Sequence, residues 1–230
     1  MNAFEEIYSL LYDHFGPQGW WPGESPFEIM VGAVLTQNTN WENVRKAISN
    51  LKEAEMLSFS ALDALPVDEL AQLIKPSGYF NIKAKRLKNL LRMINERYNG
   101  KLELLLNDEL TRGREALLSV NGIGPETADC ILLYAADQPV FVVDAYTHRI
   151  FSRHHLTAEE NDYHSLQEEF HNRLPLQSAL YNEYHALIVT LGKDYCRKNN
   201  PRCDQCPLQG ACKWSQPLVL RSVPSISSAT

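Results

Sequence analysis

Apolar side chains recur at helical spacing along almost the whole chain. Phe4, Ile7, Tyr8, Leu11 and Phe15 fall at i, i+3, i+4, i+7 and i+11, the pattern of one buried helix face. Leu87, Leu90, Leu91, Ile94 and Tyr98 repeat it, with Lys85, Arg86, Lys88 and Arg92 opposite. The same stripe predicts helices over residues 27–35, 41–51, 109–120, 126–136, 144–153, 163–174 and 180–191. Only residues 139–143 read as extended, and that run is too short to seed a sheet. The pattern therefore predicts an all-α protein of about ten helices joined by short Gly, Pro and Asn turns. No internal repeat interrupts it, and the Ser-rich segment after Gln216 reads as a frayed tail.

Composition adds little to that picture but removes alternatives. Of 230 residues 44% are apolar, and 22 Lys and Arg against 28 Asp and Glu leave a formal charge of -6. Such a chain is globular, not disordered, collagenous or a heptad rod. No apolar run approaches the roughly 20 residues of a membrane span; the longest is 130–136. The acidic start, residues 1–6, lacks the parts of a signal peptide, so a soluble, cytoplasmic protein is expected. Net negative charge argues weakly against a nucleic-acid partner. Its distribution argues the other way: Lys83, Lys85, Arg86, Lys88 and Arg92 form one basic group, and Arg197, Lys198, Arg202 and Lys213 a second.

Four of the five cysteines, Cys196, Cys203, Cys206 and Cys212, are spaced C-x6-C-x2-C-x5-C, whereas Cys130 stands alone in an apolar run and reads as a small buried hydrophobe. In a reducing compartment four clustered thiols point to metal before disulfides. The spacing alone leaves a [4Fe-4S] cluster and a tetrahedral zinc site comparable. Either would pin a chain end that has little apolar content of its own.

Three further segments carry candidate chemistry. Residues 117–128, LLSVNGIGPETA, read as helix, tight turn through Asn121, Gly122, Ile123 and Gly124, then a helix opened by Pro125. Both glycines permit positive φ, and the unpaired amides at the second helix start suit a phosphate. An ordinary turn between two helices is the other reading. Asp144, in FVVDAYTHRIF, lies where an apolar stretch becomes a helix. It can be an N-cap, a positioned ionised group, or both. GWWPG places Trp20 and Trp21 in a Gly/Pro loop, with Trp41 soon after. Two adjacent indoles in a loop cannot easily face one interior, which favours a stacking platform for a planar ligand.

Taken in order, these pieces resemble the helix-hairpin-helix DNA glycosylases of the endonuclease III superfamily, over about residues 27–212. NGIG with Pro125 to Ala128 is similar to the hairpin, Asp144 to the family's catalytic aspartate, and Arg149 to the arginine on the following helix. GYFNIKAKRL, residues 78–87, resembles the barrel segment, and AVLTQNTNW, residues 33–41, the helix end whose Gln enters the DNA stack. The cysteine spacing matches the superfamily's cluster loop, so the resemblance implies [4Fe-4S] at Cys196, Cys203, Cys206 and Cys212. Bifunctional members carry a lysine at the position of Glu126, and glutamate cannot form its Schiff base. Glu126, the WWP loop and the aromatic after QNT look like the 3-methyladenine branch.

What the resemblance implies is a monofunctional enzyme that flips an alkylated purine out of damaged double-stranded DNA and hydrolyses its glycosidic bond. Asp144 and Glu126 are its expected catalytic residues, and Trp20, Trp21, Trp41 and Lys193 its expected base pocket, although Lys193 also fits a solvated surface position. Gln37, Asn121, Gly122, Ile123, Gly124, Thr127, Lys83 and Lys85 are its expected DNA contacts. Glycosylase action on mismatched or oxidised pyrimidines, and a non-catalytic DNA-binding protein, are the alternatives. The expected architecture is two helical lobes flanking a DNA-binding cleft: a six-helix barrel with the hairpin over 25–137, a cluster lobe from 1–24 and 138–214, and a tail, 215–230. A monomer is expected.

Overall fold

The computed structural model describes residues 2–209, and among these there are twelve α-helices and no strand. The predicted stripes become α1 (Ala3–Phe15), α2 (Pro26–Leu35), α3 (Trp41–Glu53), α6 (Phe80–Tyr98), α8 (Leu110–Leu118), α10 (Ala145–Arg153), α11 (Tyr163–Arg173) and α12 (Ser178–Asp194). Three short helices, α4 (Phe59–Ala64), α5 (Val67–Leu73) and α7 (Leu102–Leu106), were not foreseen, because five to seven residues give too few turns for a periodic signal. The stripe over 126–136 divides: α9 (Pro125–Cys130) runs into a π-helical turn, Ile131–Ala135.

Local chemistry sets the helix starts. Asn2 caps α1 with Glu5 returning the bond, Ser25 caps α2 ahead of Pro26, and Asn40, Ser58 and Asp162 accept amides at α3, α4 and α11. Helix α2 is buried all round from Phe27 to Leu35 and is the central element of one lobe, packed against α3, α6 and α9. The other lobe joins α1 to α10, α11 and α12 through an aromatic core, in which Phe141 stacks on Phe170 at 3.8 Å and Phe4 lies 5.0 Å from Phe151. Between the lobes, the π turn packs on α2 on one side and α12 on the other.

Residues 139–143 are extended without a sheet, as expected. Side chains satisfy the backbone in place of a neighbouring strand: His171 Nε2 accepts the Phe141 amide at 2.9 Å, and Gln167 donates to the Phe141 carbonyl at 2.6 Å. The fully buried Asp129 ties this segment to α9. It accepts from Arg114 at 2.7 and 3.1 Å, from Tyr163 at 2.8 Å and from Gln167 at 2.7 Å. This clamp fixes α9 relative to the segment that leads into Asp144.

Candidate active site

The NGIG turn joins α8 to α9, and Pro125 occupies the first position of α9 with Gly124 as its cap. Of the two glycines that permit positive φ, Gly122 uses that freedom, at 97°, whereas Gly124 is extended at -95°. A Cβ on Gly122 would stand 2.4 Å from Cγ of Arg86, which shows how closely α6 approaches the turn. Asn121 is exposed and its carbonyl accepts from Asn89, whereas Ile123 and Thr127 are buried. Gln37 follows the end of α2, and its amide donates to the Gly122 carbonyl at 3.1 Å and to Thr127 Oγ1 at 2.9 Å. Its carbonyl accepts from Arg86 at 2.5 Å. The residue expected to enter the DNA stack is therefore engaged with the hairpin.

Lys83 is a correction. It is 1% exposed, and its ammonium donates to the carbonyls of Leu35 at 2.8 Å and Ser77 at 2.7 Å. Burial, with Arg86 nearby, lowers its pKa to about 8. It locks α6 to the end of α2 and cannot reach a phosphate. Lys85 lies on the exposed side of α6, in a polar recess of about 460 Å3 shared with Lys88, Asn89 and Arg92.

Asp144 caps α10 and sits in a buried polar site, so cap and positioned carboxylate coincide. Its Oδ1 accepts the Thr147 amide at 2.7 Å and the Thr147 hydroxyl at 3.0 Å. Its Oδ2 stands 3.5 Å from His185 Nε2 on α12. The separation is that of an ion-pair contact, and Nε2 has no hydrogen-bond partner among the described residues. Burial pushes the Asp144 pKa up, but His185 and the Thr147 donors outweigh it, and the net shift is below the ordinary value. Glu126, in the first turn of α9, shifts the opposite way, raised by desolvation first and by the Asp144 charge second. The residue is exposed at its surface, yet enough protein surrounds the carboxyl for desolvation to lead that shift. The two carboxylates thus differ in character: Asp144 is held ionised, and Glu126 keeps its proton more readily.

The tryptophans form one group. Trp20 and Trp21 lie 5.5 Å apart, and Trp41 lies 5.5 Å from the first and 5.1 Å from the second. All three are half-buried, so none is wholly taken into the interior. Close packing on α2 depends on Gly32, where a Cβ would meet Trp21 at 3.1 Å. A recess of about 240 Å3 opens between Trp21, Pro22, Trp41 and Gly32. The buried Nε1–H of Trp20 has no acceptor among the described residues, and Lys193 Nζ stands 5.8 Å from the Trp20 ring centre while remaining exposed to solvent. Lys193 is thus a surface lysine that stands over the Trp20 ring.

Two residues that connect these parts were not foreseen. Tyr134, on the π turn, lies 5.3 Å from the Trp21 ring, and its hydroxyl meets His185 Nδ1 at 2.5 Å. Contacts thus run unbroken from the tryptophans through Tyr134 and His185 to Asp144. In the sequence both polar tips are hidden inside apolar stripes. A buried tyrosine and a buried histidine each need a partner, and that was the available signal.

Of the clustered cysteines, Cys196 is buried, Cys206 half-buried and Cys203 exposed, while Cys212 lies outside the described residues. Arg153 approaches Cys196 Sγ at 3.5 Å and donates to the carbonyls of Arg197 and Lys198, and Arg149 donates to the carbonyls of Cys196 and Gly192. Among the described residues no three metal-binding side chains converge. The donor set nevertheless fits a thiophilic centre: Cys196 and Cys203 are free thiols, and soft sulfur donors suit iron or zinc.

Comparison with known proteins settles the family. Residues 31–176 match the profile of the HhH-GPD superfamily of base excision DNA repair proteins. The chain belongs to this family. Over 215 residues it is 47% identical to a candidate DNA repair glycosylase of Methanocaldococcus jannaschii, covering 92% of this chain and 97% of that one. It is 32% identical to Thermotoga maritima endonuclease III over 82% of this chain and 83% of the relative. The structure of H. pylori 3-methyladenine DNA glycosylase bound to 1,N6-ethenoadenine superposes with a TM-score of 0.70 at 33% identity, covering 84% of this HhH-GPD chain and 98% of that one. The two-lobed all-α fold and membership of the endonuclease III superfamily of glycosylases agree with the sequence reading. No helix of the described residues is long and apolar enough to cross a membrane.

Proposed function

We propose that this HhH-GPD protein is a monofunctional glycosylase that releases alkylated purines, such as 3-methyladenine, from double-stranded DNA. The observation that carries the reading is the unbroken path from the tryptophan group to an ionised aspartate, with glutamate at the lyase position. An N3- or N7-alkylated purine is cationic and already a good leaving group, so its pocket has mainly to recognise it. Aromatic faces attract such a base by roughly 1–2 kcal/mol over its neutral parent. The Trp20 N–H, buried without an acceptor, is available to a base heteroatom.

In this mechanism the duplex bends and the damaged nucleotide leaves the stack, at a cost of a few kcal/mol. Gln37 fills the vacated space by exchanging its bonds to the hairpin and Arg86 for the orphaned base. The amides of residues 121–124 and the start of α9 hold a phosphate, and Lys85 on the exposed side of α6 adds a further backbone contact. Asp144, ionised and anchored, stabilises the oxocarbenium-like sugar as the base departs, or takes a proton from the attacking water. Glu126 has no amine to attack the sugar, so no covalent adduct forms.

Cys196, Cys203, Cys206 and Cys212 would hold a [4Fe-4S] cluster, with Arg149 and Arg153 bracing the loop. Bound there, the cluster would supply a structural cross-link, and Arg197, Lys198 and Arg202 of the same loop would contact the backbone of DNA. We place the lobe division at residues 24/25 and 137/138. The decisive experiment incubates the protein with methylated duplex, identifies every released base, and adds borohydride to trap any adduct. Release of 3-methyladenine or 7-methylguanine without a trapped species supports the reading; a trapped species, or release only of oxidised or mismatched pyrimidines, rejects it.

A further inference from the structure

Helix α12 carries a histidine within an otherwise apolar stretch, and both its ring nitrogens meet polar groups. His185 is 5% exposed. Its Nδ1 lies 2.5 Å from the Tyr134 hydroxyl, and its Nε2 lies 3.5 Å from Asp144 Oδ2 with no hydrogen-bond partner. We infer that His185 is a positioning residue for Asp144: its Nε2–H holds Oδ2 during catalysis, while Tyr134 fixes the tautomer that makes this possible. The inference deepens the glycosylase reading above and rests on it.

The geometry of the neighbours supports this assignment. Thr147 alone holds Oδ1, which leaves the carboxylate free to swing its other oxygen unless a second donor restrains it. A neutral imidazole that faces a carboxylate through Nε2–H must accept at Nδ1, so the tyrosine donates there. Burial keeps the Tyr134 phenol protonated, which makes it a dependable donor. The π turn matters because such turns re-aim side chains at functional sites, and here Tyr134 lies between Trp21 and His185. A contact of 3.5 Å to a buried, unsatisfied N–H has the form of a bond that tightens when substrate arrives. The polar and titratable groups that act on His185 are Tyr134 from the π turn, Glu126 from α9 and Asp144 from the head of α10, while Cys130 and Glu183 act on Tyr134 behind it. A ring donor held among them restrains Asp144 at Oδ2, on the side that Thr147 leaves free.

The test compares wild type with His185→Leu, His185→Gln and Tyr134→Phe. Single-turnover release of 7-methylguanine from methylated duplex is followed between about pH 5 and 8, and binding is measured on a duplex with a tetrahydrofuran abasic site. His185→Leu should slow release about 100-fold, the penalty of a misplaced catalytic group, with unchanged abasic-site affinity and an acid limb moved to higher pH. His185→Gln, whose amide N–H can stand in for Nε2–H, should stay within about tenfold of wild type. Tyr134→Phe, which keeps the ring's shape, should fall between the two. Equal impairment by Gln and Leu, or a wild-type rate and pH profile in Leu, overturns the inference; should Leu fail to fold, a wild-type rate in Tyr134→Phe overturns it. If wild type itself releases no base, the glycosylase reading has failed instead.

Discussion

The Asp129 clamp offers a quantitative test of how the site is held together. Asp129 is fully buried, and Arg114, whose side chain is 21% exposed, supplies two of its four hydrogen bonds. Replacing Arg114 with Met would strand a carboxylate inside the protein with only Tyr163 and Gln167 as donors. Breaking a buried pair in this way costs about 3–5 kcal/mol, and the partly exposed arginine points to the lower end. In a chain of this length that corresponds to a fall in Tm of roughly 6–20 °C. The double variant Arg114→Met/Asp129→Asn removes the stranded charge while its amide oxygen still accepts from Tyr163 and Gln167, so it should regain more than half of the loss. Because the clamp joins α9 to the segment before Asp144, the single variant should also slow base release. Urea unfolding of the two variants and wild type measures the coupling. A single-variant loss below about 1 kcal/mol, or a double variant no better than the single, would refute the reasoning.

Lys83→Met should lower stability through its two lost carbonyl partners yet leave the salt dependence of DNA binding intact, whereas Lys85→Ala should reduce the slope of log K against log salt by about 1. Filter-binding titrations over a salt series separate the two. Gly122→Ala should weaken both folding and abasic-site binding, since its φ of 97° and the Arg86 side chain oppose a Cβ; unchanged melting would show that the turn can relax. For Glu126 the folded pKa lies above the unfolded value of about 4.5, so folding is favoured below that value and loses the contribution as pH rises through the folded pKa. Glu126→Gln should therefore flatten the decline in stability across that window, read by urea titrations at several pH values. Asp144 has the opposite sign: its contribution is present above the ordinary carboxylate range and disappears as pH falls through the lowered value.

The long helices were legible in the sequence because each buries one stripe, and periodicity reports that directly. The hairpin was legible because Gly122 and Pro125 have local reasons to occupy their positions. Asp144 was legible as a cap, and its second function followed only from the resemblance. Lys83 was misread because a helix face does not reveal whether a lysine turns outward or bends back to the carbonyls of Leu35 and Ser77. Tyr134 and His185 were missed for a related reason: their partners lie on elements that are distant in sequence, and a local pattern cannot encode where three helices meet. The π turn has no sequence signature separate from the stripe it interrupts.

The central claim concerns the chemistry of one carboxylate, and the most direct measurement is single-turnover release of methylated purines by wild type and Asp144→Asn, beside the affinity of each for abasic-site duplex. The account predicts release by wild type, and none by the amide variant at undiminished affinity. Turnover retained by Asp144→Asn, or a wild-type protein that binds the duplex and frees no base, would contradict it.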